Sequence, residues 1–414
     1  MSKLEHLIAE LCPDGVEYKT LAEIGDFFGG LTGKSKDDFS NGNCKFITYM
    51  NIFSNLSVNT NTNDMVKIQE GEKQRIIKNG DILFTGSSET PNECGMSSVF
   101  INDTDVEFYL NSFCFALRLY DENLLLPHFS KYLFRSNELR KQIIKTASGV
   151  TRFNISKKKM EKVLIPLPPL PIQREIVHIL DNLTELTAEL TAELTARKQQ
   201  YKYYRDSLLT FGDDVEWKTL GEIATDMYRG SGIKRDQVTE SGMPCVRYGE
   251  IYTTYNIWFD SCVSHTVEKE IPNKKYFEYG DVLFAITGES IEEIAKSCVY
   301  VGQEKCLAGG DTVVMKHNEN PKYLAYALST NNAQIQKSKG KVKSKVVHSS
   351  VPALKEIKIP IPPLAEQERI VAILDRFDTL VNDITTGLPA EIEARKQQYE
   401  YYRDKLLTFK ECER

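Results

Sequence analysis

The chain has 414 residues, 41% of them apolar and 27% charged, with a formal net charge of −6. That length exceeds one small core and predicts two or three domains. The composition excludes bulk disorder and a collagen-like chain, and no apolar run approaches the ~18 residues that span a bilayer. Residues 1–12 lack the apolar core of a signal peptide, so a cytoplasmic protein is expected. None of the nine cysteines is spaced as Cys-x-x-Cys. This argues against a zinc module or a disulfide framework and for reduced, mostly packed thiols.

The first block, roughly residues 13–164, carries short β-like runs at 44–49, 81–84 and 113–119, separated by Gly, Asn, Ser and Thr turns. Pro127 opens a helical stretch near its end. A proline string follows, with Pro166, Pro168, Pro169 and Pro171, and reads as an extended connector because proline fits neither a helix interior nor a central strand. Apolar residues then recur at 172, 176, 179, 180, 183, 186, 190 and 194, one face of a helix expected over 172–210 and ~58 Å long. Within it, 187–190 and 191–194 are direct TAEL units, each one helical turn, which act as a spacer or as plain helix-forming filler.

The second block, roughly 213–358, has a β-like run at 313–316 and a helical stretch opened by Pro321. Pro360, Pro362 and Pro363 form the second connector, and apolar residues at 370, 373, 374, 377, 380, 381, 384, 388 and 392 mark the second helix. Gly387-Leu388-Pro389 predicts a break in it, since Gly ends helices and Pro opens them.

These parts repeat. Residues 196–211 (ARKQQYKYYRDSLLTF) match 394–409 (ARKQQYEYYRDKLLTF) at fourteen of sixteen positions, and 165–181 match 359–375 at eleven of seventeen. The blocks between have diverged, apart from echoes such as Gly80-Asp81 with Gly280-Asp281. The run at 4–8 precedes 14–17 as 207–209 precedes 213–216, like the tail of a repeat cut open, so the two ends of the chain are expected close together. The fold expected is α+β: two globular domains of ~150 residues joined by two long antiparallel, coiled-coil-like helices in a pseudo-twofold tandem repeat. The boundaries read as 1–164, 165–212, 213–358 and 359–414.

Charge is distributed unevenly. Residues 131–162 hold ten Lys or Arg against two Glu, and 334–358 hold seven Lys against one Glu, on an otherwise acidic chain. Both segments fall just before a proline string, which points to two docking places for a polyanion.

Two diverged blocks, each followed by an IPxPPL segment, a Gln (Gln173, Gln367) and a long helix, the first with TAEL units, resemble the specificity subunit of Type I restriction–modification systems. The resemblance covers essentially the whole chain. It implies that each variable block is a target recognition domain for one half of a bipartite DNA site, with the helices fixing the gap. It also implies partners: double-stranded DNA, two methyltransferase subunits and restriction/translocase subunits, with no membrane. S-adenosylmethionine, ATP and Mg would be used by those partners, with no cofactor on this chain and no catalytic residue in it. The other readings are a self-contained DNA methyltransferase or nuclease and a coiled-coil tether that binds no DNA.

The residues agree with a recognition role. No Asn/Asp-Pro-Pro-aromatic loop for a flipped adenine is present, and the six histidines form no metal or triad pattern. Residues 29–35 (GGLTGKS) leave three residues where a phosphate loop needs four. They read as a cationic loop near a DNA phosphate, with Lys34, Ser35 and Lys36, or as a plain turn. Candidate phosphate contacts are Lys141, Lys145, Lys157, Lys158 and Lys159 in the first domain and Lys337, Lys339, Lys341, Lys343 and Lys345 in the second. Candidate base readers are Arg152 and Asn154 in the first and Arg235, Lys343 and His348 in the second. The matched blocks keep identity on more faces than one helix pair needs. A protein-partner surface is therefore expected at Arg197, Lys198, Gln199, Tyr201, Tyr203, Tyr204 and Arg205 and at Arg395, Lys396, Gln397, Tyr399, Tyr401, Tyr402 and Arg403.

Overall fold

The strand Ile82–Thr85 is buried along its whole length. Ile82 and Phe84 belong to one core with Phe115, Tyr132 and Ile176, while Leu83 belongs to another with Ile47, Ile52 and Ala116. Successive strand residues point to opposite faces, so an uninterrupted apolar strand must be covered on both sides. The computed structural model describes residues 3–102, 104–212, 214–339, 346–383 and 385–412. They form two compact units: residues as far as Leu190 with those from Ile392 onward, and Thr191–Glu391.

In the first unit, an antiparallel sheet runs in the order Gly25–Gly29, Cys114–Leu119, Ile82–Thr85, Ser97–Val99. Helices Pro127–Leu133 and Asn137–Ile144 contribute Phe129, Tyr132, Leu139 and Ile143 to the core that includes Ile82 and Phe84. The core beyond the other face draws on a second sheet, in which Cys44–Ile47 runs parallel to Phe108–Leu110. The second unit repeats this plan. Its five-stranded sheet holds Val282–Ala285 between Thr312–Lys316 and Ser297–Tyr300, with Val282 and Phe284 in one core and Leu283 and Ala285 in another. Its second sheet pairs Met243–Val246 in parallel with Cys306–Ala308. The β-like runs at 44–49, 81–84, 113–119 and 313–316 each contain a strand, although the first ends at Ile47 and Tyr49 opens a helix, and Pro127 and Pro321 each begin a helix. Gly80 and Gly280 turn the chain at φ 88° and 92°, a conformation glycine adopts freely. Each delivers a buried aspartate, Asp81 or Asp281, to the adjoining strand.

The proline strings close each unit. Leu164–Leu167 pairs antiparallel with Glu17–Thr20, placing Pro166 opposite Tyr18, and Lys358–Pro360 pairs with Trp217–Thr219. Proline is tolerated in such two-stranded ribbons because it breaks no central ladder. The helix Leu170–Leu208 follows, 39 residues long with Pro171 in its first turn. Ile172, Ile176 and Leu180 are buried on the expected face. In the second copy the helix Leu364–Asn382 ends and Leu388–Leu406 begins, so the break at Gly387 is present. Leu380, assigned to the apolar face, is instead 37% exposed, while Asp378 is buried and accepts a hydrogen bond from Asn382.

The units divide inside the helices because each matched block packs with the variable domain that follows it in the closed repeat. Tyr399, Leu406 and Leu407 join the first core, and Tyr201, Leu208 and Leu209 join the second. In the first unit the Val16 N–H donates to Lys410 O at 2.8 Å and the Cys412 N–H to Val16 O at 3.0 Å, so segments near the two ends of the chain meet.

Candidate nucleic-acid interface

In the first unit, Gly149 at φ 144° makes a turn so tight that a Cβ there would lie 2.0 Å from Arg152 O. The turn pushes residues 150–152 outward, leaving Val150 90% exposed. Phe113 and Met50 are exposed nearby, and these residues, with Tyr49 and Ser87, line a groove of about 860 Å³. Arg152 reaches across it, donating from Nε to Ser87 Oγ at 3.2 Å with its guanidinium 5.9 Å from the Phe113 ring centre. Arg152 is thus held in a groove with exposed apolar neighbours, a pairing suited to base edges and thymine methyls. Asn154 is exposed on the adjoining strand, Phe153–Ile155.

Lys157, Lys158 and Lys159 are exposed on the short helix Lys157–Met160, which buried Met160 anchors and Ser156 caps. Lys141 and Lys145 are exposed at the end of Asn137–Ile144, and Lys36 and Ser35 are exposed as well. Lys34 is not the free cationic tip expected. Its side chain is 6% exposed, paired with Glu72 at 2.5 Å and donating to Lys67 O at 2.6 Å. The Gln69 N–H and then Lys34 hold the Glu72 carboxyl down at about 2, so Lys34 staples the loop instead of offering its charge.

In the second unit a groove of about 780 Å³ is lined by Arg229, Arg235, Arg247 and Tyr248, with Gly230, Gly232, Gly309 and Gly310 among its walls. A Cβ on Gly230 would lie 2.2 Å from Gly309 O, so these chain segments touch backbone to backbone. Arg229 is tied to Gly310 O and to the Asp311 carboxylate. Arg235 is exposed at the start of the turn Arg235–Gln237. His348 is exposed, its Nδ1 3.2 Å from Thr287 Oγ1, and Lys339 is exposed too. Lys337 is a correction. It is 4% exposed, donating to Ser297 Oγ at 3.0 Å and Leu328 O at 2.8 Å. Burial pulls its ammonium down to about 7, and it cannot reach a phosphate from there. Lys341, Lys343 and Lys345 lie outside the described residues.

The matched helical blocks divide by face in the same way twice. Lys198, Gln199, Tyr203 and Tyr204 are exposed, as are Lys396, Gln397, Tyr401 and Tyr402. Arg197, Tyr201 and Arg205, with Arg395, Tyr399 and Arg403, are half-buried. Arg205 pairs with Asp206 and Arg403 with Asp404, and Asp404 also accepts from the Asn137 N–H at the start of a first-unit helix. Each arginine thus pairs along its own helix, and Asp404 ties the second block to its unit, leaving the Lys-Gln and Tyr-Tyr set as the exposed repeated surface. Tyr204 is shared between roles, since its ring also stacks on Phe377 at 5.5 Å.

Sequence reasoning did not single out Met50, Phe113, Arg229, Arg247 or Tyr248. Apolar residues read as core from composition, and the arginines sit in no motif. Among the described residues, no group of three or more His, Cys, Asp or Glu side chains is placed to hold a metal ion, and no helix is long and apolar enough to cross a membrane.

The sequence matches the Type I restriction modification DNA specificity domain twice, over residues 13–197 and 212–394. It is 37% identical over 274 residues to the Type I restriction enzyme EcoR124I/EcoR124II specificity subunit of Escherichia coli, covering 62% of this chain and 65% of that one. It is 34% identical over 274 residues to the putative specificity subunit S.HindORF215P of Haemophilus influenzae, covering 63% and 68%. The matched region is thus a little under two thirds of the E. coli protein. Among solved structures, a chain from work on assembly and conformational transition of the type I R-M system superposes with a TM-score of 0.68 at 17% identity, covering 95% of this chain and 98% of that one. The HsdS subunit from Thermoanaerobacter tengcongensis gives 0.50 at 18%, covering 97% and 99%. At these identities the likeness is one of fold.

Proposed function

Because the chain belongs to the family of Type I restriction–modification specificity subunits, we propose that it reads a bipartite DNA site, one half with each of its two domains. The observation that carries this is one framework built twice with different groove chemistry: Arg152, Phe113 and Met50 in one unit, Arg229, Arg235 and Arg247 in the other. A chain with two equal jobs on one target would have no use for that difference. Exposed lysines at 157–159 and 141–145 supply phosphate contacts, which position the duplex without reading it.

The chain itself is non-catalytic. Two methyltransferase subunits and the restriction/translocase subunits assemble on the repeated Lys-Gln and Tyr-Tyr surface, in the cytoplasm. S-adenosylmethionine, ATP and Mg serve those partners. The test is methylation-sensitive sequencing of genomic DNA from cells expressing this chain with its modification partner. A bipartite motif with a methylated adenine in each half and a fixed gap is expected. Methylation by the purified chain alone would instead establish a self-contained methyltransferase, and an assembled complex that directs no motif would leave a tether.

A further inference from the structure

The two units deliver the same short helix to their grooves but head it with different residues. In each, a strand parallel to its partner runs directly into six helical residues, Cys44–Ile47 into Tyr49–Ser54 and Met243–Val246 into Tyr248–Thr253. Ile52 and Ile251, at matching places, are both fully buried and fasten the helix to the core. Tyr49 lines the first groove and Tyr248 the second. The preceding residue is Thr48 in the first unit, whose hydroxyl accepts the Asn51 N–H. In the second unit it is Arg247.

Arg247 is held as a surface arginine ordinarily is not. Its Nε donates to Glu250 Oε1 at 2.9 Å, its Nη2 lies 2.9 Å from the same oxygen, and its backbone N–H donates to Oε2 at 3.1 Å. Glu250 is 6% exposed and also accepts from Ser264 Oγ at 2.7 Å. The carboxylate therefore has its partners, and the guanidinium is fixed in direction on a side chain that remains one-third exposed and lines the groove. Three of its five N–H groups are left, including one on each terminal nitrogen. Beside it Gly309 offers no side chain, and a Cβ there would lie 3.2 Å from Arg247 Cα.

Resting on the DNA reading above, we propose that Arg247 is a specificity-determining residue that reads a guanine in the second half-site, its end-on fork meeting O6 and N7. Guanine presents two acceptors on its major-groove edge at the spacing of that fork. A phosphate is the poorer fit. Glu250 and Asp311 line the same groove and offset its positive charge, whereas a directional, pre-oriented donor pair is what base discrimination requires. Thr48, with its hydroxyl spent on the helix, offers no such donor pair at the matching place in the first domain.

The test compares methylated motifs in cells expressing the full chain, Arg247→Gln and Arg247→Lys with the modification partner. The wild-type second half-site is expected to contain a required G·C pair. Arg247→Gln should lower discrimination at that pair about tenfold to hundredfold while leaving the first half-site unchanged, which also reports that the chain is folded. An unchanged second half-site overturns the assignment, as does weaker methylation at all sites with no change of preference. If Arg247→Gln directs no methylation, Arg247→Lys decides. A relaxed base at that position upholds the reading, while full retention of the motif or total loss assigns Arg247 to charge or folding and overturns it. A wild-type chain that directs no motif refutes the bipartite reading, and this assignment with it.

Discussion

Tyr326 donates its phenolic proton to the Asp375 carboxylate at 2.6 Å. The same bond joins Tyr132 to Asp181, also at 2.6 Å, in the first unit. In each copy a lysine completes the pair from a different position, Lys322 on Asp375 and Lys131 on Asp181, both at 2.7 Å. The bond locks the proline-opened helix of each variable domain onto the long helix that follows. Both tyrosines are fully buried, and burial first, then the carboxylate, raises their hydroxyls above the ordinary value.

Tyr326→Phe should therefore cost about 1.5–3 kcal/mol, the worth of a buried hydrogen bond to a charged group. Hydrogen exchange resolves it by unit. Amides of the helix Pro321–Leu328 should exchange faster, and those of Pro127–Leu133 should not change. Equal protection of Pro321–Leu328 in variant and parent would show that the shared apolar core and Lys322 hold the two helices without this bond.

Much of this framework was legible in the sequence, because it depends on periodicity and on residues with few conformational options. The helix from 170 to 208 follows from its apolar spacing, the break before Leu388 from Gly387, and the ribbons from prolines that no helix interior accepts. Gln173 and Gln367 were visible as motif residues, but not their role. Each is buried, with Nε2 on a proline-string carbonyl and Oε1 on the backbone N–H of Leu126 or Asn320. The grooves were not legible, since they are assembled from distant loops and exposed apolar side chains. Lys337 was read by its neighbours' charge, although it lies one helical turn beyond buried Ala333, a spacing that marks the inner face.

Lys337 occupies the place that Ile143 holds in the first unit, seventh in the helix Asn331–Ser338 as Ile143 is in Asn137–Ile144. Its folded value, about 7, lies below the ordinary lysine value of 10.5. The unfolded chain then binds more protons than the folded one between those two values, so this group makes the second unit more stable as pH rises from about 7 to about 10.5. The penalty is greatest below pH 7 and absent above the unfolded value. Lys337→Ile should remove that slope. Denaturation midpoints measured at pH 7 and pH 9.5 should show the variant gaining on the parent at the lower pH, by a few kcal/mol at most, with the gap closing at the higher pH. Loss of a partner for Ser297 Oγ subtracts from the gain without altering its pH trend. A gap independent of pH would mean that Lys337 stays charged in the fold.

The exposed triplet Lys157, Lys158 and Lys159 should behave in the opposite way. Replacing all three with Gln should weaken binding evenly across DNA sequences and reduce the log–log salt slope by about one for each phosphate that is no longer neutralised. Base preference should not move. Lys337→Gln, buried away from any duplex, should leave that slope alone. Titrations of the assembled complex at several salt concentrations check both, and a salt slope unaffected by the triple substitution would remove these lysines from the interface.

The TAEL units permit a prediction about distance. Leu186, Leu190 and Leu194 are half-buried along one stripe of the long helix, and Thr187 and Thr195 bond back to the carbonyls four residues earlier. A third complete unit inserted after Leu194 extends that stripe without interrupting the helix. It adds ~6 Å of rise and ~40° of rotation. One base pair of B-DNA advances about 3.4 Å and turns about 34°, so the rotation matches one added pair while the rise would accommodate up to two. The unspecified gap should lengthen by one base pair, or two if the rise dominates, with both half-sites unchanged because no groove residue has moved within its own unit. Sequencing methylated DNA from cells carrying the extended chain measures the gap directly. An unchanged gap would show that the helix does not set the spacing, and altered half-sites would show that it shapes the reading domains themselves.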